Sequence, residues 1–205
     1  MIKKSIFLSL LVCAVIAVLG AYIVARPSDN RDASATGDAL IGGAFRLEDM
    51  QGKIVTESIL HGHYSLVYFG FTYCPDICPA TLMHLTHALE QMPEYADQIQ
   101  PIFITLDPQR DTPEVLRAYQ SNFHPSLIML RGTLEQTKQV ADAYKVFYQK
   151  EGSGTDYSMN HTGYGYVMDT QGKYITHITH DDDAKTIEAT LRNVMVDHKV
   201  HQRVP

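Results

Sequence analysis

The hydrophobic pattern changes character several times along the chain, and each change marks an element. Residues 6–25 form a run of about 20 apolar or small positions with no charge before Arg26, long enough to cross a bilayer core as a helix. Lys3 and Lys4 precede it and place the N-terminus inside and the rest of the chain on the far side. A long cleavable signal, processed within residues 21–25, is the other reading of this run. A lipid-modified Cys13 is disfavoured because Val12 precedes it and the apolar run continues beyond it. The expected organisation is a membrane anchor over 1–26, a polar flexible tether over 27–41, a folded domain over 42–197 and a fraying tail over 198–205.

Within the domain, residues 44–55 read as a hairpin turning at Gln51-Gly52. Residues 65–71 form a short apolar run with Val, Tyr and Phe, as in a central buried strand. After Cys78 the period becomes helical: Leu82, Leu85, Leu89 and Met92 share a face, and Pro79 falls early, where its missing donor costs nothing. Met83 fits that face less well, and these residues read as core rather than as a methionine metal site. Residues 102–106 form the next strand. Asp111-Thr112-Pro113-Glu114 then starts a helix, with Asp111 or Thr112 as cap and Leu116, Tyr119 and Phe123 inward. Residues 127–130 predict a third parallel strand, 134–147 a third helix, 163–169 and 173–178 a hairpin across Thr170-Gln171-Gly172, and 183–196 a final helix. The succession hairpin, strand, helix, strand, helix, strand, helix, hairpin, helix specifies an α/β fold. Its mixed sheet has helices on both faces and an antiparallel edge.

Composition alters this picture only in what it excludes. A chain of 205 residues that is 45% hydrophobic and 20% charged has an ordinary globular make-up. Its net charge of −6 argues against a nucleic-acid partner, since phosphate binding needs a basic face. Of three cysteines, Cys13 lies in the apolar run, leaving Cys74 and Cys78 to the domain. So close a pair would stabilise little as a staple, because short loops restrict the unfolded chain least.

The pair is better placed for chemistry. Cys78 opens a helix, whose free amides and dipole favour an anionic sulfur, and Cys74 sits in the preceding turn, stiffened by Pro75 and Pro79. Both sulfurs can share a face, close a disulfide or bind a thiophilic ion such as Cu(I), with zinc as competitor. Delivery of a dithiol by strand and turn to a helix resembles the thioredoxin-like arrangement. There the loop before the second hairpin packs beside the dithiol and presents a cis-proline. Here His161 stands at that place, where it could complete a site of two cysteines and one histidine open to Cu(I) and Cu(II), or simply bond a backbone carbonyl.

Three blocks carry a more specific resemblance. Phe69-Gly70-Phe71-Thr72-Tyr73-Cys74-Pro75-Asp76-Ile77-Cys78-Pro79 is similar to the signature of the Sco/SenC family. Thr105-Leu106-Asp107-Pro108-Gln109-Arg110-Asp111-Thr112-Pro113 resembles its second block, and Asp156-Tyr157, His161-Thr162 and Tyr166-Val167-Met168-Asp169 resemble its third. The resemblance covers roughly residues 42–191 and includes the N-terminal anchor. It implies a thioredoxin-like copper chaperone binding copper through Cys74, Cys78 and His161 and helping to assemble the binuclear copper centre of cytochrome c oxidase. The implied partners are the copper-binding subunit of that oxidase and a periplasmic copper donor or thiol reductant. The implied location is the bacterial inner membrane, single-pass, with the domain in the periplasm. The rival reading is a periplasmic thiol-disulfide oxidoreductase using Cys74 and Cys78 as a redox pair and tolerating loss of His161. Gly163 and Gly165 depart from the family's more apolar strand and are expected to loosen the loop that holds His161.

Other candidates read more plainly. Asp76 between the cysteines is a weak copper contact or a turn-forming carboxylate. Asp107, Arg110 and Asp111 form either a partner-recognition surface or a turn and cap held by an ion pair. His177, His180 and residues Asp181, Asp182 and Asp183 look metal-like, as do His61 and His63, but both groups fall at turns and read as solvated surface. His84 and His87 have no third group to complete a site.

Overall fold

A strand buried on both sides needs an apolar residue at nearly every position, and the run Tyr64–Gly70 (β3) is buried throughout. Alternate side chains go to opposite faces: Leu66 and Tyr68 enter one hydrophobic core, Val67 and Phe69 the other. The computed structural model describes residues 41–154 and 156–201, with side chains to Val196. The expected anchor over 1–26 and most of the tether over 27–41 lie outside the described residues. Ile41 already packs against the second core, one position earlier than expected.

Around β3 the described strands β1 (Arg46–Asp49), β2 (Ile54–Thr56), β4 (Ile99–Thr105), β5 (Ile128–Arg131), β8 (Tyr164–Met168) and β9 (Tyr174–Thr179) form a seven-stranded sheet in the order β2-β1-β5-β4-β3-β8-β9. The β3–β4–β5 centre is parallel and both hairpins at the edges are antiparallel. Helices α1 (Ile77–Glu90), α2 (Pro113–Gln120) and α4 (Ala184–His201) bury Leu82, Leu85, Leu116, Ile187 and Leu191 in the first core. Helix α3 (Leu134–Ala143) covers the opposite face with Val140 and Ala141. The mixed sheet flanked by helices is therefore as the periodicity predicts.

Both edge hairpins use one turn device. In Asp49-Met50-Gln51-Gly52-Lys53 the Asp49 carboxylate accepts the amides of Gln51 and Lys53. Asp169-Thr170-Gln171-Gly172-Lys173 repeats this at Gln171 and Lys173. Gly52 and Gly172 supply the required positive φ of 78° and 74°.

Three expectations need correction. The third helix ends at Ala143, not at 147. Lys145 adopts φ 58° and the Val146 amide turns back to the Ala141 carbonyl at 2.8 Å, an ending of the left-handed type. The stretch expected as a loop is a separate two-stranded hairpin, β6 (Tyr148–Ser153) with β7 (Asp156–His161), joined by pairing to no strand of the main sheet. Lastly, α4 runs to His201, past the expected end and into the stretch expected to fray.

Candidate metal centre

The dithiol begins where β3 ends. The Leu106 amide bonds the Gly70 carbonyl at 2.8 Å, and Phe71, Thr72 and Tyr73 then turn the chain into α1. That turn is held from the loop after β4: the Thr72 amide and hydroxyl and the Thr105 hydroxyl all donate to the Asp111 carboxylate. Burial pushes the Asp111 carboxyl up, against the lowering effect of these hydrogen bonds. Gly70 is a matter of space, since a Cβ there would lie 3.0 Å from the Cys78 sulfur and 2.9 Å from the Phe103 ring.

Both thiols are free, Cys78 buried and Cys74 half-buried. The Cys74 sulfur accepts the Cys78 amide at 3.4 Å. The hydrogen bond from the Cys78 thiol lowers Cys74 to about 5, helped by the backbone amides of Cys78 and Asp76 and by the neighbouring His161, against burial. Cys78 is pushed up, because its thiol proton is the one given to Cys74 and because it is buried. The pair is therefore asymmetric: an outer sulfur disposed to be a thiolate and an inner one disposed to stay protonated.

His161 is the last residue of β7, paired with Tyr148. Its Nδ1 lies 2.9 Å from the Thr162 carbonyl. A carbonyl only accepts, so Nδ1 carries the proton and the lone pair of the neutral ring is on Nε2. Nε2 lies 3.6 Å from the Cys78 sulfur, and the Phe71 ring meets the imidazole edge-on at 5.9 Å. The structure thus puts Cys74 and His161 on one cleft, which Met159 and His180 also border, with the buried Cys78 sulfur against the His161 ring. Among the described residues no three His, Cys, Asp or Glu side chains form a ready-made metal set. Cys78 and His161 are in contact, while Cys74 is turned to backbone amides. Two sulfurs and an imidazole suit a thiophilic ion, and the ring's second nitrogen is held as a metal-ligating histidine requires.

Most of the remaining candidates resolve into structural roles. Asp76 is the exception: its side chain makes no capping bond at the start of α1 and it borders the cleft. Asp107 and Asp111 are buried, so they offer no recognition surface; Asp107 pairs with Arg110, and Thr112, not Asp111, caps α2. Asp182 and Asp183 accept the amides of Thr179 and Thr186, His177 meets the Tyr174 hydroxyl at 2.8 Å, and His180 faces Asp181 at 3.5 Å, so among the described residues the cluster forms no metal set. His84 has a role after all: its Nδ1 lies 3.1 Å from the Asp182 carbonyl, tying α1 to the turn before α4. Gly165 is closely packed. Ile178 and Leu66 fill the space of its missing side chain, with the nearest atom 2.8 Å from where a Cβ would stand. Sequence reasoning missed Tyr157 and Met159 as neighbours of the site. Their signal was the alternation Tyr157, Met159, His161, all half-buried between exposed residues.

A thioredoxin-like sheet that sets a dithiol beside an imidazole defines a class of thiol- and metal-handling domains. Within that class this chain belongs to the SCO1/SenC family, whose profile matches residues 33–196. It is 46% identical over 156 residues to an SCO2-like protein of Rickettsia prowazekii (strain Madrid E), covering 75% of this chain and 76% of that one. The structure of Arabidopsis thaliana ScoI with copper bound superposes with a TM-score of 0.72 at 36% identity, covering 77% of this chain and 99% of that one. Yeast Sco1 with copper bound gives a TM-score of 0.70 at 39% identity, covering 81% and 91%.

Proposed function

We propose that this protein is a copper chaperone for the binuclear copper centre of cytochrome c oxidase, with copper as its cargo and Cys74, Cys78 and His161 as the ligands. The family is one of cytochrome c oxidase assembly proteins, and its members with copper bound share this chain's fold. The observation that carries the ligand assignment is His161: its Nδ1 is committed to the Thr162 carbonyl and its Nε2 faces the Cys78 sulfur at 3.6 Å. A soft donor set of two sulfurs and one imidazole nitrogen favours Cu(I) and tolerates Cu(II). To take up the ion, Cys74 gives up its backbone amides and Cys78 its proton, so uptake releases protons and acid opposes it. Release would follow by ligand exchange to the copper-binding subunit of the oxidase. The same reading holds the domain in the bacterial periplasm by a single-pass inner-membrane anchor.

The asymmetry of the thiols favours a second reading, thiol-disulfide exchange. A half-buried sulfur lowered to about 5 beside a buried, raised one is the arrangement of an attacking thiolate and a resolving thiol. In that role the protein would reduce the cysteines of the oxidase or another partner.

An anaerobic Cu(I) titration of the reduced protein against a competing chelator separates the two. Tight one-to-one binding by the wild type, lost in Cys74→Ser/Cys78→Ser and weakened roughly 100-fold or more in His161→Ala, is the expected result, because a third ligand is being removed from a soft site. Binding indifferent to His161 would overturn the ligand assignment and leave thiol exchange as the function.

A further inference from the structure

His161 stands on the one described hairpin that the main sheet does not hold, so something else must fix its distance from the dithiol. At its base the hairpin is closed on itself by the Thr162 amide to the Phe147 carbonyl at 2.9 Å and by the Phe147 amide to the Thr162 hydroxyl at 3.1 Å. Met159 packs against both cores and Tyr148 against the second, and polar links to the body are made at Tyr157, on the same face of β7 as His161. The Tyr157 hydroxyl donates to Asp107 Oδ1 at 2.8 Å. Arg110 Nη1 donates to the Tyr157 carbonyl at 2.8 Å, and the guanidinium carbon lies 3.5 Å from the centre of the Tyr157 ring. The same guanidinium faces the Tyr73 ring at 4.6 Å and the Phe71 ring at 5.9 Å, both in the turn that carries Cys74.

Arg110 is thus a plug between the two halves of the centre, touching the dithiol turn on one side and the histidine hairpin on the other. Its charge is met by Asp107 and by aromatic faces, while its Nη2 is buried without a hydrogen-bond partner. The seat beneath it is firm: the Asp107 amide donates to the Thr105 hydroxyl at 2.9 Å, and Arg131 donates to the carbonyls of Asp111 and Pro108 at 3.2 and 3.0 Å.

We propose that Arg110, Asp107 and Tyr157 form a latch that positions His161 against the dithiol, with Arg110 as its centre. The latch makes no contact with the cargo and acts through where it puts the hairpin. Its effect on copper rests on the reading above, but its effect on the hairpin does not.

The test uses the whole protein, reduced, as wild type, Arg110→Gln, Arg110→Lys and Tyr157→Phe. In the metal-free protein, hydrogen exchange at the amides of β7 should quicken roughly ten-fold or more in Arg110→Gln and Tyr157→Phe, the scale of losing a hydrogen bond to a charged group, while β3 and β4 keep their protection. Arg110→Lys should rescue only in part, because an ammonium cannot reproduce a planar stacked donor. Cu(I) affinity should fall about 10- to 100-fold, as for other supports of a metal-ligating histidine, and that fall should vanish when each substitution is made in the His161→Ala background. Unchanged exchange at β7 overturns the latch, and so does an affinity loss that persists without His161. A wild type that binds no copper would remove the chaperone reading, and the exchange data alone would then decide the latch. Should Arg110→Gln not fold, Tyr157→Phe, which keeps the ring and loses only the hydroxyl, decides both readouts.

Discussion

Two sulfurs four positions apart look equivalent on paper, and folding makes them unequal. Cys78 enters α1 beside the space that Gly70 leaves open, and is buried; Cys74 stays in the turn with amides aimed at it. In the reduced protein, alkylation by iodoacetamide should therefore modify Cys74 and spare Cys78, with the Cys74 rate rising through a midpoint near pH 5, as peptide mass mapping would report. Modification of Cys78 at a comparable rate would contradict the asymmetry. The spacing made the pair legible in the sequence, but the division of labour required knowing which sulfur is covered. For His161 the structure shows the carbonyl-bonded arrangement, and that bond does not compete with a ligand role. The bond from Nδ1 to Thr162 is what leaves Nε2 free to face Cys78.

At the scale of elements, periodicity reports burial, and where burial was strong the reading was accurate. β3, α1 and the two edge hairpins lie close to where alternation and helical spacing put them. The β6–β7 hairpin escaped because β6 is exposed at every position after Tyr148; a strand with no buried face leaves no two-residue signal. Its neighbour α3 was extended too far for a related reason: Val146 is buried and continues the apolar spacing, although the backbone has already turned at Lys145. Gly70 tests how an element end builds the site. Gly70→Ala should destabilise the protein by about 1–3 kcal/mol, the usual cost of overfilling a packed interior, measured by denaturant unfolding. It should also displace the Cys78 sulfur or the Phe103 ring, the atoms its Cβ would meet. An unperturbed Cys78 and unchanged stability would show that the close approach carries no constraint.

For the whole molecule, the sheet carries a hydrophobic core on each face. Ionisation at the site leaves a mark on stability. The folded protein holds Cys74 at about 5, below the ordinary thiol value of 9.0, so between these limits the unfolded chain binds the extra proton. Stability of the reduced protein should then rise with pH through that window and be lost as pH falls through about 5. Cys74→Ser should flatten that rise, a comparison that thermal unfolding at several pH values would make directly. By itself the sequence determined the fold class, the succession of the main sheet's elements, the dithiol and the histidine, because hydrophobic period and residue chemistry are local properties. Only the tertiary structure decided which thiol is exposed, that His161 Nε2 faces the Cys78 sulfur, and that Asp107, Arg110 and Tyr157 meet. The last two depend on contacts between residues 47, 50 and 83 positions apart, and no local pattern encodes a distance across the fold.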